Sequence, residues 1–340
     1  MWITSKFLAV GSICILFSCI VHAVVVKKEN SLNGPYEGRA ENLQYWDLTG
    51  NAQLGEKYIR LTTDEPNKHG AIWNNFPVLS KDWEFQVQFQ IHGKGVHLNG
   101  DGLAIWYVRD ALHSGPIFGS KDYFSGLGLF VDTFDNAATP HQHRHPYISA
   151  VVNDGSFPYD HDEHGTQGQI GACHIPVRNL EHTVKVAVSY MNDALTVFFD
   201  AEGLGQWKPC FRAVGVHLPS GYHFGISAST GQYSDNHDVI SVTSLNLDSP
   251  DKPYVDRSNV IPLAEFIEVP IKPLKEVVEE GPETKEPSGT EEIIDDGGQS
   301  TSLLKKAIYI GGIAVILIVI ISLYKKYSAQ RKERMQKRLF

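Results

Sequence analysis

The sequence predicts an all-β domain of the sandwich or barrel type over residues 42–247, and three observations carry that prediction. Residues 83–91 alternate apolar and polar side chains without a break, the period-two pattern of a half-buried strand. Residues 103–108 are apolar at every position, as in a strand covered on both faces. Turn clusters such as Met191-Asn192-Asp193-Ala194 separate short strand-like runs at 147–152, 184–190, 195–199, 222–227 and 239–247, and no long helical period interrupts them. Many short strands punctuated by turns make a sandwich or barrel, and roughly 200 residues suffice for one such core.

The ends of the 340-residue chain carry a different pattern. Lys6, the apolar run 7–21 and the small residues around Ala23 predict a signal peptide over 1–23. The folded domain is expected over 24–249. From Pro250 to residue 304, prolines mix with a run of acids, a composition that cannot bury a core and predicts an extended stalk. The uncharged run 307–324 predicts a transmembrane helix over 305–324, near the ~20 residues that cross a bilayer. Lys325, Lys326, Arg331, Lys332, Arg334, Lys337 and Arg338 follow it in the tail 325–340, so the tail is expected to be cytosolic and the topology type I. With Cys14 and Cys19 lost in the signal peptide, the two remaining cysteines, Cys173 and Cys210, are expected to pair in an oxidising compartment.

Four stretches inside the β domain could carry chemistry. Gly128-Leu129-Phe130-Val131-Asp132-Thr133-Phe134-Asp135-Asn136 runs from an apolar strand into an acidic loop. The side chains of Asp132 and Asn136 and the main-chain carbonyl of Phe134 are oxygen donors at alternate positions, which suits a hard cation such as Ca2+. An ordinary strand end, where Asp and Asn make the turn, is the plainer reading. Asn99-Gly100-Asp101-Gly102 places a carboxylate between two glycines, where a ligand could approach the backbone, or where a tight turn simply needs them. Tyr159-Asp160-His161-Asp162-Glu163-His164-Gly165 is dense in acids and imidazoles, while His141, His143 and His145 read as solvated loop histidines rather than zinc ligands. Gly231-Gln232-Tyr233-Ser234-Asp235-Asn236-His237-Asp238 reads as one polar loop, either a plain hairpin loop or a surface for hydroxyl-rich ligands.

Taken together, Gly100-Asp101-Gly102-Leu103-Ala104-Ile105-Trp106-Tyr107, Val131-Asp132-Thr133-Phe134-Asp135-Asn136, Tyr159-Asp160-His161, Ser234-Asp235-Asn236-His237-Asp238 and the cysteine pair resemble the animal L-type lectins of the early secretory pathway, nearest to the vesicular integral-membrane lectin group with its ER-resident relative. The resemblance implies a legume-lectin-like jelly-roll sandwich and no enzymatic activity. It implies Ca2+ held by Asp132, Phe134 and Asn136, and a carbohydrate site of Asp101, Asn136, His161, Gly231, Gln232 and Tyr233. The implied partners are high-mannose N-glycans of cargo glycoproteins, with coat proteins reading Lys337, Arg338 and Phe340 as sorting signals at the tail. No nucleic-acid partner is expected, and the implied location spans ER, intermediate compartment and Golgi.

The chain departs from the family pattern in several places. His164 stands where the family has a further calcium-ligating aspartate, so Asp160, Asp162 or Glu163 would have to take over, or affinity would fall. Gln232 and Tyr233 replace the usual Asp-Leu of the site-closing loop, and Asn67 stands at the place of a serine of the sugar site. Phe130 occupies the place of a plant-lectin glutamate that ligates a transition metal. Two other functions use the same architecture: a glycoside hydrolase, which needs two carboxylates flanking the scissile bond, and a glycan-independent scaffold or adhesion protein. The hydrolase pattern of paired acids alternating on one strand is missing, because Asp132 is flanked in that alternation by Phe130 and Phe134.

Overall fold

Alternation along the strands divides the chain into two layers with a core between them. The computed structural model describes residues 25–38, 43–95, 100–135, 144–162, 165–251 and 253–265. The segments assigned to the signal peptide (1–23) and the transmembrane helix (305–324) lie outside the described residues, as do Asn136, Lys337, Arg338 and Phe340. Among the described residues no helix is long and apolar enough to cross a membrane.

One layer is a seven-stranded antiparallel sheet. Its order is Gln169–His174, Tyr147–Asp154, Ser125–Asp132, Gly102–Val108, His223–Ser229, His69–Asn74 and Trp46–Gly50. The other is a nine-stranded sheet centred on Trp83–His92 and Asn236–Asn246. Trp83, Phe85, Val87, Phe89 and Ile91 point into the core while the residues between them are half-buried, as the alternation predicts. Across the layers, Phe85 stacks on Phe224 with ring centroids 3.9 Å apart and Trp83 packs on Tyr107 at 4.8 Å. Aromatic pairs of this kind contribute ~0.5–1.5 kcal/mol beyond the area they bury.

The Gly102–Val108 strand is buried on both faces, as its unbroken apolar run predicts. Leu103, Ile105 and Tyr107 join the inter-sheet core. Ala104, Trp106 and Val108 face a second cluster with Phe118, Phe124, Phe130 and Tyr159. That second cluster lies under the segments bearing Phe118 and Tyr159, and so positions the functional rim described below.

Cys173 and Cys210 form a disulfide between the edge strands Gln169–His174 and Lys208–Val214, one from each sheet. Spanning 37 residues of sequence, it contributes about 4 kcal/mol by constraining the unfolded chain. Beyond the last long strand the chain stays on the sandwich: Arg257 reaches Leu218 O (3.2 Å), Tyr190 Oη (3.2 Å) and Asp193 (2.6 Å). Leu263–Ala264 then pairs with Val216–His217. These first residues of the proline-rich region are thus seated against the β domain.

Candidate functional site

Strand register assembles the site. Gly102 pairs with Asp132 on one side and Ser229 on the other, and Asp132 pairs in turn with Tyr147. The 99–102, 128–136 and 231–233 stretches, far apart in sequence, therefore meet at one rim of the seven-stranded sheet. Gly102 has φ +142°, and a Cβ there would overlap the Val131 carbonyl oxygen, so this pairing requires glycine. Asp101 is fixed by its own main chain. Its N–H donates to Ser229 O at 3.0 Å, and its carbonyl accepts from Thr133 N–H and Thr133 Oγ1, each at 3.0 Å.

The Asp101 carboxylate accepts from Ser229 Oγ (3.3 Å to Oδ2) and from the Gly231 N–H. Burial pushes its carboxyl above the usual value, while Ser229, His161 and the Gly231 amide hold it back. A Cβ at Gly231 would stand 3.0 Å from Asp101 Oδ1, so glycine is required here by proximity. Next along, the Tyr233 ring lies 5.6 Å from the Phe134 ring, which joins the 231–233 loop to the 132–134 turn. Gln232 is exposed.

Asp132 ends its strand buried, and its Oδ1 accepts the Phe134 N–H at 3.0 Å, an Asx turn that curls 132–134 around the carboxylate. His145 Nε2 stands 3.8 Å from Asp132 Oδ2, with the imidazole edge-on to Tyr147 at 4.9 Å. Of the histidines read as solvated, His145 is therefore packed, its side chain only 9% exposed, because Tyr147 pairs with Asp132 and carries it inward. Burial first, and the Asp132 charge second, raise the Tyr147 and Tyr159 phenols. His161 packs between Phe118 (5.6 Å) and Tyr159 (5.0 Å), its Nε2 3.2 Å from Pro116 O. A carbonyl can only accept, so Nε2 carries the proton and the neutral ring keeps Nδ1 as an acceptor.

Phe130 is fully buried among Trp106, Phe118, Phe124 and Tyr159, an apolar setting with no oxygen donor of its own. Asn136, Glu163 and His164 lie outside the described residues, and among the described residues no group of three or more His, Cys, Asp or Glu gathers as a metal site. The described oxygen donors are the Asp132 carboxylate and the Phe134 main chain.

Two things were not foreseen from the sequence. The run 231–238 is not one loop, because Asn236, His237 and Asp238 begin the Asn236–Asn246 strand. Asp235 is fully buried against Arg178 (2.8 Å), Asp238 pairs with Arg60 (2.7 Å) and His92 (3.0 Å), and His237 lies 2.7 Å from Thr62 Oγ1. Those polar side chains hold the foot of the 231–233 loop and are not a recognition surface. The second is an open cleft of about 490 Å3 beside Asp101. Asn67, Lys68 and His69 line it from one loop, Ser114, Gly115 and Pro116 from another, with Ser229 and Thr230 completing it. Asn67 N–H donates to Gly231 O (3.0 Å) and Lys68 N–H to Thr230 Oγ1 (2.9 Å), so the 67–69 loop is tied to the same strand end. No local pattern marks Lys68 or Ser114 as site residues, and only tertiary contact reveals them.

A model of the legume-like lectin family matches residues 24–253. The VIP36-like protein of Mus musculus is 44% identical over 250 residues, 72% of this chain and 72% of its own length. The vesicular integral-membrane protein VIP36 of Homo sapiens is also 44% identical, over 72% of this chain and 70% of its own. Among solved structures, the exoplasmic/lumenal domain of VIP36 in its Ca2+/Man-bound form superposes with a TM-score of 0.67 at 42% identity, covering 72% of this chain and 100% of that one.

Proposed function

The chain belongs to the legume-like lectin family, and on that premise we propose that it is a calcium-dependent receptor for high-mannose N-glycans on cargo glycoproteins of the early secretory pathway. The observation that carries the proposal is the convergence of the Asp101 carboxylate, the Asp132 turn and the 231–233 loop on one rim. Each of these supplies a polar group that suits either a hard cation or a ring of hydroxyls.

The donor chemistry fits Ca2+. Asp132 is a buried carboxylate at the head of a turn whose main chain curls around it, and burying such a charge is costly without a cation or hydrogen bonds to offset it. In this reading Asp132 and Asn136 offer side-chain oxygens and Phe134 its carbonyl, with a further ligand from 160–163. Phe130 excludes the transition metal that a carboxylate there would recruit. When bound, Ca2+ takes part in no reaction and supplies only a fixed loop geometry.

The sugar is then held by the protein's own groups. Asp101 accepts two hydroxyl hydrogen bonds, the Asn136 amide donates to a ring hydroxyl, His161 Nδ1 accepts another, and Gly231 leaves room for the ring. Gln232 and Tyr233 border it, Tyr233 braced by Phe134. The VIP36 domain solved with Ca2+ and Man supports the ligand class. The relatives are lectins, and the hydrolase alternative has no support from them.

The membrane layout belongs to the same proposal. Signal peptide 1–23 is removed, the lectin domain 24–249 is lumenal on the acidic stalk 250–304, and helix 305–324 crosses once. The tail 325–340 then offers Lys337, Arg338 and Phe340 to coat proteins. The relative's description as a vesicular integral-membrane protein agrees with such a layout. Binding of the full chain to a glycan array, with Ca2+ and again with EDTA, tests the proposal. High-mannose glycans are expected to bind only with Ca2+, and a uniform absence of calcium-dependent mannose binding would overturn it.

A further inference from the structure

We infer that the cleft beside Asp101 is a second saccharide subsite, with Lys68, His69 and Ser114 contacting the neutral ring next to the mannose held at Asp101. The inference rests on the lectin reading above and adds to it where the rest of the glycan lies.

Asp101 stands at a junction. On one side of it are Gly231, Tyr233 and the Phe134 turn. The cleft opens from the same carboxylate and includes none of those three. Its volume of about 490 Å3 falls inside the roughly 300–1,000 Å3 of clefts that take ligands larger than one hexose. A ring hydrogen-bonded to Asp101 therefore has its neighbour's place already formed, bounded by protein and open to solvent along the remaining glycan.

The cleft is also held in shape before any ligand enters. Thr230 N–H donates to Lys68 O (2.8 Å), Lys68 N–H donates to Thr230 Oγ1 (2.9 Å), and Thr230 Oγ1 donates to Glu65 O (2.7 Å). These bonds fix the 67–69 loop against Ser229 and Thr230, so little ordering entropy is lost on binding. The opposite loop is set by Ile117 and Ser120, which exchange main-chain hydrogen bonds at 3.0 and 2.8 Å.

Charge decides what kind of ring fits. Lys68 Nζ lies 3.0 Å from Glu65 Oε2, so the one lysine lining the cleft arrives with its charge offset. With that pair formed, the exposed groups are an ammonium with spare donors, an imidazole and a hydroxyl, which suit the hydroxyls of a neutral hexose. A phosphate-bearing sugar would have to compete with Glu65.

Titration calorimetry of the detergent-solubilised full chain in Ca2+ tests this with methyl α-mannoside, an α-linked mannobiose and mannose 6-phosphate as probes. The wild type is expected to prefer the disaccharide to the monosaccharide, with no preference for the phosphorylated sugar. Loss of one hydrogen bond should reduce the disaccharide-to-monosaccharide affinity ratio about fivefold in Lys68→Ala, and similarly in Ser114→Ala, whose side chain is exposed. Equal losses for both sugars, unchanged ratios in both variants, or tighter binding of mannose 6-phosphate would each overturn the subsite. Failure of the wild type to bind methyl α-mannoside at all would remove the lectin reading itself, and the subsite with it.

Discussion

Acid should weaken the fold through one imidazole. His237 is fully buried, and burial pushes its pKa down to about 3. The local bonding accounts for the direction. Thr62 Oγ1 donates to Asp235 O (3.1 Å) and lies 2.7 Å from His237 Nδ1. Nδ1 is thus the protonated nitrogen, and Nε2 is buried without a hydrogen-bond partner among the described residues. A second proton, on Nε2, would be a desolvated charge with no acceptor. In the unfolded chain the same imidazole titrates near ~6.5. Between about 6.5 and 3 the unfolded state therefore binds more protons, and stability falls as pH falls through that window. At pH 5.0 the deficit is about 1.5 pH units below the unfolded value, or about 2 kcal/mol, against nearly nothing at pH 7.4. Denaturant unfolding followed by tryptophan fluorescence, in EDTA so that calcium does not contribute its own pH dependence, measures this. Wild type should lose about 2 kcal/mol more than His237→Phe between pH 7.4 and 5.0. Equal losses in the two proteins would refute the assignment.

Three further outcomes follow from the site and its frame. Asp101→Asn removes a charged acceptor while keeping the shape, and should lower mannoside affinity at least tenfold in calorimetry with an unchanged circular dichroism spectrum. His164→Asp restores a carboxylate to the calcium loop and should tighten Ca2+ binding in a direct titration; an unchanged Kd would show that the loop is already complete. Cys210→Ser opens the link between the edge strands and should cost about 4 kcal/mol in urea unfolding.

Strand identity was legible wherever one pattern dominated. The alternation of 83–91 and the apolar run 103–108 emerge as Trp83–His92 and Gly102–Val108 with the faces they were expected to have. Asn236, His237 and Asp238 escaped because their polarity reads as solvent exposure, yet Arg60, Arg178 and Thr62 arrive from other strands to partner that polar run. Side chains that are satisfied only across the fold look, in one dimension, like a loop. His145 escaped for the same reason.

The 128–136 stretch already displayed its oxygen donors, and resemblance named their companions at Asp101, His161 and 231–233. Chemistry of that kind resides in residue types and short spacings, which any reading of the chain preserves. What only the folded molecule decided is the pairing of Gly102 with both Asp132 and Ser229, and the cleft that Lys68 and Ser114 line beside Asp101. Register is a property of strands distant in sequence, and a one-residue slip would carry Asp132 to the opposite face. The donors were therefore readable in advance, while their distances and the room left around them had to await the sheet.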